Sequence, residues 1–502
     1  MLREIVVSKR EIAKYLSSMS EGFSLGRLFS PSIVAIVGAS SNPVSGGHQF
    51  TRFLIDHGFK GKLYLVNPKL SEILGLKVYP GLTEIPESNL DYVVSCIPAE
   101  GVLSLLEDCS KKNVKLVHLF TARLKETGRD KETKLEREIL EKARKLGIRI
   151  LGPNCMGIYY PKLGLSFNHE LPRESGPVGG FFQSGGGAGE FVRYAALRGV
   201  RFSKMISYGN ASDIDETELL NYFTADSETK IIAAYIEGVK HGRKFVEALA
   251  QATKEKPVII LKGGRGRTGA KLALSHTASL AGSVKVWQAV LKQYGAIMVS
   301  DFQELIDQVV AFTFLPPITG RRVIIAGGGG GKSMVSADVW EEEGFELPEL
   351  SMELREKLKK QSIGIWDWVR NPIDASLFQG TPLSDIDLLE WLSKEEKFDI
   401  SVANLTQDDP LPRDIWEKVR ASNFLHSTVA IKKQGKPVVC VIETGEIGLA
   451  EMETWKWRAI AETRKQIVSQ GLAVFPSPAR AASATRRLVD YWTWRENENE
   501  LL

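Results

Sequence analysis

Ile33-Val34-Ala35-Ile36-Val37-Gly38-Ala39-Ser40 is the stretch on which the fold turns. Five apolar residues run without interruption into a glycine. A short apolar run that ends at a turn signal has the pattern of a buried strand. A helical stretch around Gln49–His57 follows, and Gly58 stops it. The same alternation then repeats. Strands are predicted at Lys62–Asn67, Leu90–Cys96, Leu116–Phe120 and Arg149–Leu151, the last running into Gly152-Pro153-Asn154-Cys155. Strands that alternate with helices give a parallel, doubly wound sheet, and ligands of such sheets sit at the carboxyl ends of the strands.

Working outward, a second unit of this kind opens at Gly176–Phe182 and breaks into Gln183-Ser184-Gly185-Gly186-Gly187 before a helix over Phe191–Leu197. Further strands are expected around Met205, at Lys230–Ile236 and at Pro257–Leu261. A third unit begins at Arg322–Ala326, runs into five glycines (327–331) and a helix, and continues with strands at Ile400–Leu405 and Pro437–Ile442, after which Leu472–Pro478 leads into a last helix. The final helix is expected over Ala479–Trp494. The reading is α/β throughout, in three doubly wound domains: 29–155, 156–317 and 318–502, after an amphipathic lead-in over 1–28. The tryptophans concentrated in the last third read as core and interface packing.

Composition narrows the function classes. At 502 residues the chain is long enough for about three domains. A net charge of +4, with no basic stripe interleaved with aromatics, argues against nucleic acid. No run approaches the length of a membrane span, and the N-terminal residues lack an apolar signal core. Cys96, Cys109, Cys155 and Cys440 are too scattered for a metal site or a disulfide framework, so a cytoplasmic protein with no bound metal is expected.

Four stretches carry chemistry. The turn Gly38-Ala39-Ser40-Ser41-Asn42-Pro43 departs from the dinucleotide fingerprint G-x-G-x-x-G. The second strand ends in Asn67-Pro68-Lys69, where a dinucleotide binder usually has a carboxylate for the ribose. A lysine there suits a phosphate or the face of an adenine. The glycines after Ser184 open a helix whose first amides form an anion site. Glu237 follows the strand Lys230–Ile236 and stands at a carboxyl edge. His276 lies in Ser275-His276-Thr277-Ala278-Ser279-Leu280-Ala281-Gly282, after a basic, glycine-rich approach (262–271). Small neighbours leave room for a charged group at the ring, and a carboxylate such as Glu237 could hold one imidazole nitrogen and present the other. The third unit's Gly327–Ser333 invites a phosphate-loop reading. It has alanine at 326 where that motif wants glycine, and no magnesium-binding aspartate follows a strand.

Taken in order, the motifs VAIVGASSNP (34–43), LYLVNPK (63–69), GPNCMGI (152–158), QSGGGAGE (183–190), YGNASDIDE (208–216), YIEG (235–238), SHTASLAG (275–282), the 327–331 glycines, RNPID (370–374) and VFPSPARA (474–481) resemble those of the α-subunits of ADP-forming acyl-CoA synthetases. These are relatives of succinyl-CoA synthetase, and the resemblance covers about 25–495. It implies a Rossmann-like domain that binds coenzyme A along Gly38, Ala39, Ser40, Pro43, Asn67, Lys69, Ile97, Pro98 and Asn154. It implies two flavodoxin-like domains after it. His276 would be the phosphohistidine, Glu237 its orienting carboxylate, and Ser184, Gly185 and Gly186 the phosphate cradle. The implied reaction joins a small carboxylic acid to CoA through an acyl phosphate. ATP/ADP with magnesium would be held by a separate ATP-grasp β-subunit in an α2β2 assembly. The family usually has glycine at the position of Ala278 and often serine at that of Phe182. The alternative that these departures leave open is a CoA-binding regulatory or scaffold protein without phosphoryl transfer.

Overall fold

The structure, a computed structural model, describes residues 25–266, 268–269, 283–360, 366–378, 383–395, 397–405, 411–443 and 454–500. His276, Ala278 and most of the expected lead-in lie outside the described residues.

Seven strands form the first sheet: β1 (Ile33–Val37), β2 (Lys62–Val66), β3 (Glu72–Ile73), β4 (Leu76–Tyr79), β5 (Tyr92–Ser95), β6 (Leu116–Leu119) and β7 (Arg149–Leu151). Their order is β3-β4-β2-β1-β5-β6-β7, parallel except for the small β3–β4 hairpin. Because β1 pairs with β2 on one flank and β5 on the other, the strand order reverses beside it. A crevice opens at the carboxyl ends of strands where the order reverses in this way. The helices Val102–Lys111 and Asp130–Lys145 cover one face, burying Leu105, Leu106, Cys109, Ile139 and Ala143 against Val93 and Val117.

The second sheet contains β8 (Gly157–Tyr159), β9 (Ser175–Phe182), β10 (Phe202–Ser207), β11 (Ile231–Ile236), β12 (Val258–Lys262) and β13 (Ile297–Val299), in the order β13-β12-β11-β9-β10-β8. Here the order reverses at β9. The edge strand β8 runs antiparallel to β10, and β9 runs parallel to β10 and β11 as β12 does to β13. The centre of β9 is glycine for a steric reason: a Cβ on Gly180 would stand 2.2 Å from the carbonyl oxygen of Ala233 on β11.

The third sheet is parallel, in the order β14 (Val323–Ala326), β15 (Ile400–Asn404), β16 (Val438–Val441), β17 (Ala473–Phe475). Single parallel bridges from Glu346 and Ile373 reach the other flank of β14, so the order reverses there too. Trp416 is fully buried in this domain's core and Trp391, Trp455 and Trp457 pack against it, whereas Trp368 is exposed. The chain divides into two compact units, the second comprising Tyr194–Val200, Pro257–Leu261 and everything from Leu291 onward.

Candidate functional site

At the carboxyl edge of the first sheet the chain turns sharply after β1. Gly38 adopts φ +89°, and a Cβ there would lie 2.9 Å from the Cys96 carbonyl carbon and oxygen. The turn is pinned from β2: the amides of Gly38 and Ala39 donate to the Val66 carbonyl at 3.0 and 3.2 Å, and Asn67 Nδ2 donates to the Ala39 carbonyl at 2.7 Å. Asn67 Oδ1 accepts the Lys69 amide at 2.8 Å, which curls the 67–69 segment and leaves Lys69 exposed beside the turn. So the residue that replaces the usual ribose carboxylate is used to shape the loop. Ser45 caps the helix Gly46–Asp56, accepting the His48 amide at 3.3 Å. That helix begins earlier than the periodicity suggests. Gly47 presses so closely on the turn that its Cβ would meet the Gly38 carbonyl at 2.0 Å. Ile97 and Pro98 follow β5, and Thr121 Oγ1 donates to the Ile97 carbonyl at 2.8 Å. Asn154, at φ +57°, donates its amide to the Thr121 carbonyl. The candidate CoA residues therefore line one edge of the sheet, those after β1, β2 and β5 beside the reversal of strand order and Asn154 past the outermost strand β7.

The second sheet places Ser184 just past β9. Ser184 Oγ accepts the Gly187 amide at 3.1 Å, so the helix starts at Gly185 and the glycines form its first turn, not a loop before it. Glycine is needed at 185, where a Cβ would lie 2.5 Å from Met156 Cγ, whereas Gly186 faces open space. The uncapped first amides of such a helix favour anions. Phe182 points the other way. Its ring is fully buried and stacks on Phe191 at 5.1 Å, so this departure from the family pattern belongs to the packing beneath the turn.

Glu237, just past β11, is 8% exposed, and its Oε2 has no hydrogen-bond partner among the described residues. A Cβ on Gly263 would lie 3.2 Å from Glu237 Cγ and 2.6 Å from the Tyr235 hydroxyl. Burial, and then the Glu237 carboxylate to which its hydroxyl is hydrogen-bonded, push the Tyr235 phenol up to about 12. The backbone of Glu237 is gripped as well. Gln183 Oε1 accepts the Glu237 amide and, at 3.3 Å, the Gly238 amide. Lys262 Nζ, 1% exposed as a residue, donates to the Glu237 carbonyl at 2.6 Å and to the Gly263 carbonyl. Burial brings the Lys262 amine down to about 8, against the pull of the Glu237 charge.

Gln183 and Lys262 lie within the quoted stretches, and nothing in the sequence marks either as a site residue. The signal was faint: each is a polar residue at the end of an apolar strand run, and only the neighbouring strand end shows what it holds. His276 belongs to the segment that leaves β12 at this edge and lies outside the described residues. His241 is exposed at the start of the helix Gly242–Glu255.

In the third sheet, Gly327 and Gly328 adopt φ +101° and +85°, and a Cβ on Gly327 would stand 1.9 Å from the Asn404 carbonyl oxygen. Lys332 Nζ lies 3.1 Å from Glu443 Oε2. Close packing accounts for glycine at Gly327, and the lysine pairs with a carboxylate of its own domain. Among the described residues no cluster of His, Cys, Asp and Glu could hold a metal ion, and no helix is long and apolar enough to cross a membrane.

Two family models match: a CoA binding domain over residues 32–161 and a succinyl-CoA ligase like flavodoxin domain over residues 175–312. The α-subunit of acetate–CoA ligase (ADP-forming) I from Pyrococcus furiosus is 34% identical, across 95% of this chain and 100% of its own length. Acetate–CoA ligase (ADP-forming) I from Archaeoglobus fulgidus is 32% identical across 93% of this chain, which spans only 63% of that protein. A dinucleotide-forming acetyl-coenzyme A synthetase 1 from Ca. Korarchaeum cryptofilum, solved with phosphate and ADP, superposes with a TM-score of 0.78 at 30% identity, covering 95% of this chain and 99% of that one. The chain belongs to the α-subunit family of the ADP-forming acetate–CoA ligases.

Proposed function

We propose that the protein joins a small carboxylic acid to coenzyme A at the expense of ATP, reversibly, and that His276 carries the phosphoryl group between the two halves of the reaction. The observation that carries this reading is the buried Glu237 carboxylate, whose Oε2 has no partner among the described residues. A buried acceptor without a donor is costly unless another group supplies one. An imidazole N–H is such a donor, and His276 follows β12 in the sequence.

In the direction of acyl-CoA cleavage, phosphate oxygen attacks the thioester carbon and the CoA thiolate leaves, giving an acyl phosphate. Neutral His276 then attacks phosphorus through its unprotonated nitrogen. The P–N bond forms as the P–O bond to the acyl group breaks, and the carboxylate leaves with the bonding pair. Glu237 holds the proton on the other ring nitrogen and offsets the charge of the imidazolium. The Gly185 and Gly186 amides face the phosphoryl oxygens. CoA lies along Gly38–Pro43, Asn67, Lys69, Ile97–Pro98 and Asn154.

Nucleotide and magnesium are assigned to an ATP-grasp β-subunit in an α2β2 assembly. The Archaeoglobus fulgidus relative supports a second part, since this chain accounts for 63% of its length. To test the reading, the chain is incubated with acyl-CoA and radiolabelled phosphate. An alkali-stable, acid-labile label is expected, absent from His276→Asn. If wild type binds CoA and takes no label, the scaffold alternative replaces the enzyme reading.

A further inference from the structure

Gln183 stands at the end of β9, 3% exposed, and its carboxamide has two faces with different fates. Its oxygen accepts the amides of both Glu237 and Gly238. An oxygen that holds two amide donors fixes which end of the carboxamide is which. Nε2 must then carry two N–H groups, and it is buried with no acceptor among the described residues. Lys262 completes the hold by donating to the Glu237 carbonyl, so side chains grip both backbone polar groups of Glu237. The next residue after Gln183 is Ser184, which caps the helix whose first amides belong to Gly185 and Gly186. One side chain thus links the turn that carries the orienting carboxylate to the helix start that favours an anion.

Building on the phosphohistidine reading above, we propose that Gln183 is a positioning residue for Glu237 and also a hydrogen-bond donor to the phosphoryl group in transit. Oε1 sets the Glu237–Gly238 turn. Nε2 donates to a phosphoryl oxygen while the P–O bond to the acyl group breaks and the P–N bond to His276 forms. The carboxamide keeps its own protons throughout. It supplies a neutral, fixed donor where charge spreads over the phosphoryl oxygens, which is the arrangement that lowers such barriers.

The test uses the full chain with acetyl-CoA or a longer acyl-CoA and radiolabelled phosphate, quenched in alkali at short times. Gln183→Glu keeps an oxygen for the two amides but replaces the donor with an anionic oxygen. At mildly alkaline pH its labelling rate is expected to fall about 100-fold below wild type. A carboxyl buried beside Glu237 holds its proton to higher pH than a free one, so the ratio of variant to wild type should climb as pH falls and an O–H donor returns. Gln183→Met removes both functions and should be slow at every pH. Melting curves and CoA titration, which read the first domain, confirm that both variants are folded. Labelling of Gln183→Glu within about threefold of wild type overturns the proposal. Equal losses in the two variants at all pH values also overturn it, because they indicate packing alone. Both of those results leave the His276 reading standing. Absence of label in wild type overturns both.

Discussion

Glu237 and Lys262 are one arrangement seen from two ends. The carboxylate is buried with one oxygen unpartnered among the described residues, and the ammonium that holds its backbone is buried against Trp287, 5.5 Å from the ring centroid. Glu237→Gln preserves the shape and removes the charge that would balance an imidazolium. Phosphoryl uptake by the enzyme is expected to slow by about 10²–10⁴-fold with the melting temperature little changed, as single-turnover labelling would report. Lys262 makes a pH prediction. Its amine loses its proton at about 8 in the native chain against 10.5 for the ordinary side chain. Between those values the unfolded chain binds more protons than the native one, so this residue's contribution to stability rises with pH there and is weakest below about 8. The whole window corresponds to roughly 3 kcal/mol. Urea midpoints of wild type and Lys262→Met, compared from neutral to alkaline pH, should diverge in favour of wild type. Parallel curves would show that the amine is not perturbed.

The helix starts decide how the strand edges are built. The helices Gly46–Asp56 and Gly185–Leu197 both begin on glycines after a serine cap, but for different reasons. Gly47 has backbone at 2.0 Å where a Cβ would go, so Gly47→Ala must push the helix off the first turn. The expected cost is about 1–3 kcal/mol of stability together with weakened CoA binding, measured by thermal melting and calorimetric titration. Gly186 has open space, and its amide survives substitution. Gly186→Ala should stabilise the helix by up to about 1 kcal/mol without loss of labelling. The opposite outcomes at two glycines that look alike in sequence would tie each to its local backbone.

Across the first compact unit, the edges of the first two sheets are joined by backbone as well as side chains. The amides of Asn210 and Ser212 donate to the carbonyls of Pro153 and Gly152 at 3.0 and 2.9 Å. Asn210 Nδ2 donates to Glu126 at 2.9 Å, and Ser212 Oγ to Glu136 at 2.6 Å. Arg149, at the start of β7, reaches Asp213 at 2.9 Å and both oxygens of Glu218 at 2.9 and 3.0 Å. These contacts hold the candidate CoA edge and the candidate phosphoryl edge in one frame. Each member of the ion cluster is about a third exposed, so solvent screens it. Arg149→Met is expected to cost about 1–2 kcal/mol in denaturant titration, more than a free surface pair and less than a fully buried one. At the scale of the assembly, if the proposed ATP-grasp subunit holds the nucleotide, the purified chain supplied with acid, CoA and ATP should give no turnover until that subunit is added.

The sequence by itself determined the order of strands and helices, because fully buried parallel strands must be continuous apolar runs and these are visible without any partner. It also located the edges: Gly38 and Glu237 stand directly after such a run, and Ser184 one residue further on. It did not reveal the short strands β3, β4, β8 and β13, two to four residues long, which carry too little periodicity to register and exist because a neighbouring strand pairs with them. Nor could it show that Phe182 faces the core, that Asn67 shapes a loop, or that Gln183 and Lys262 hold Glu237. Those facts depend on β9, β11 and β12 lying side by side, with β10 set on the other flank of β9 although it precedes β11 in the chain. Tertiary pairing alone turned three strand ends far apart in sequence into one enclosed polar cluster.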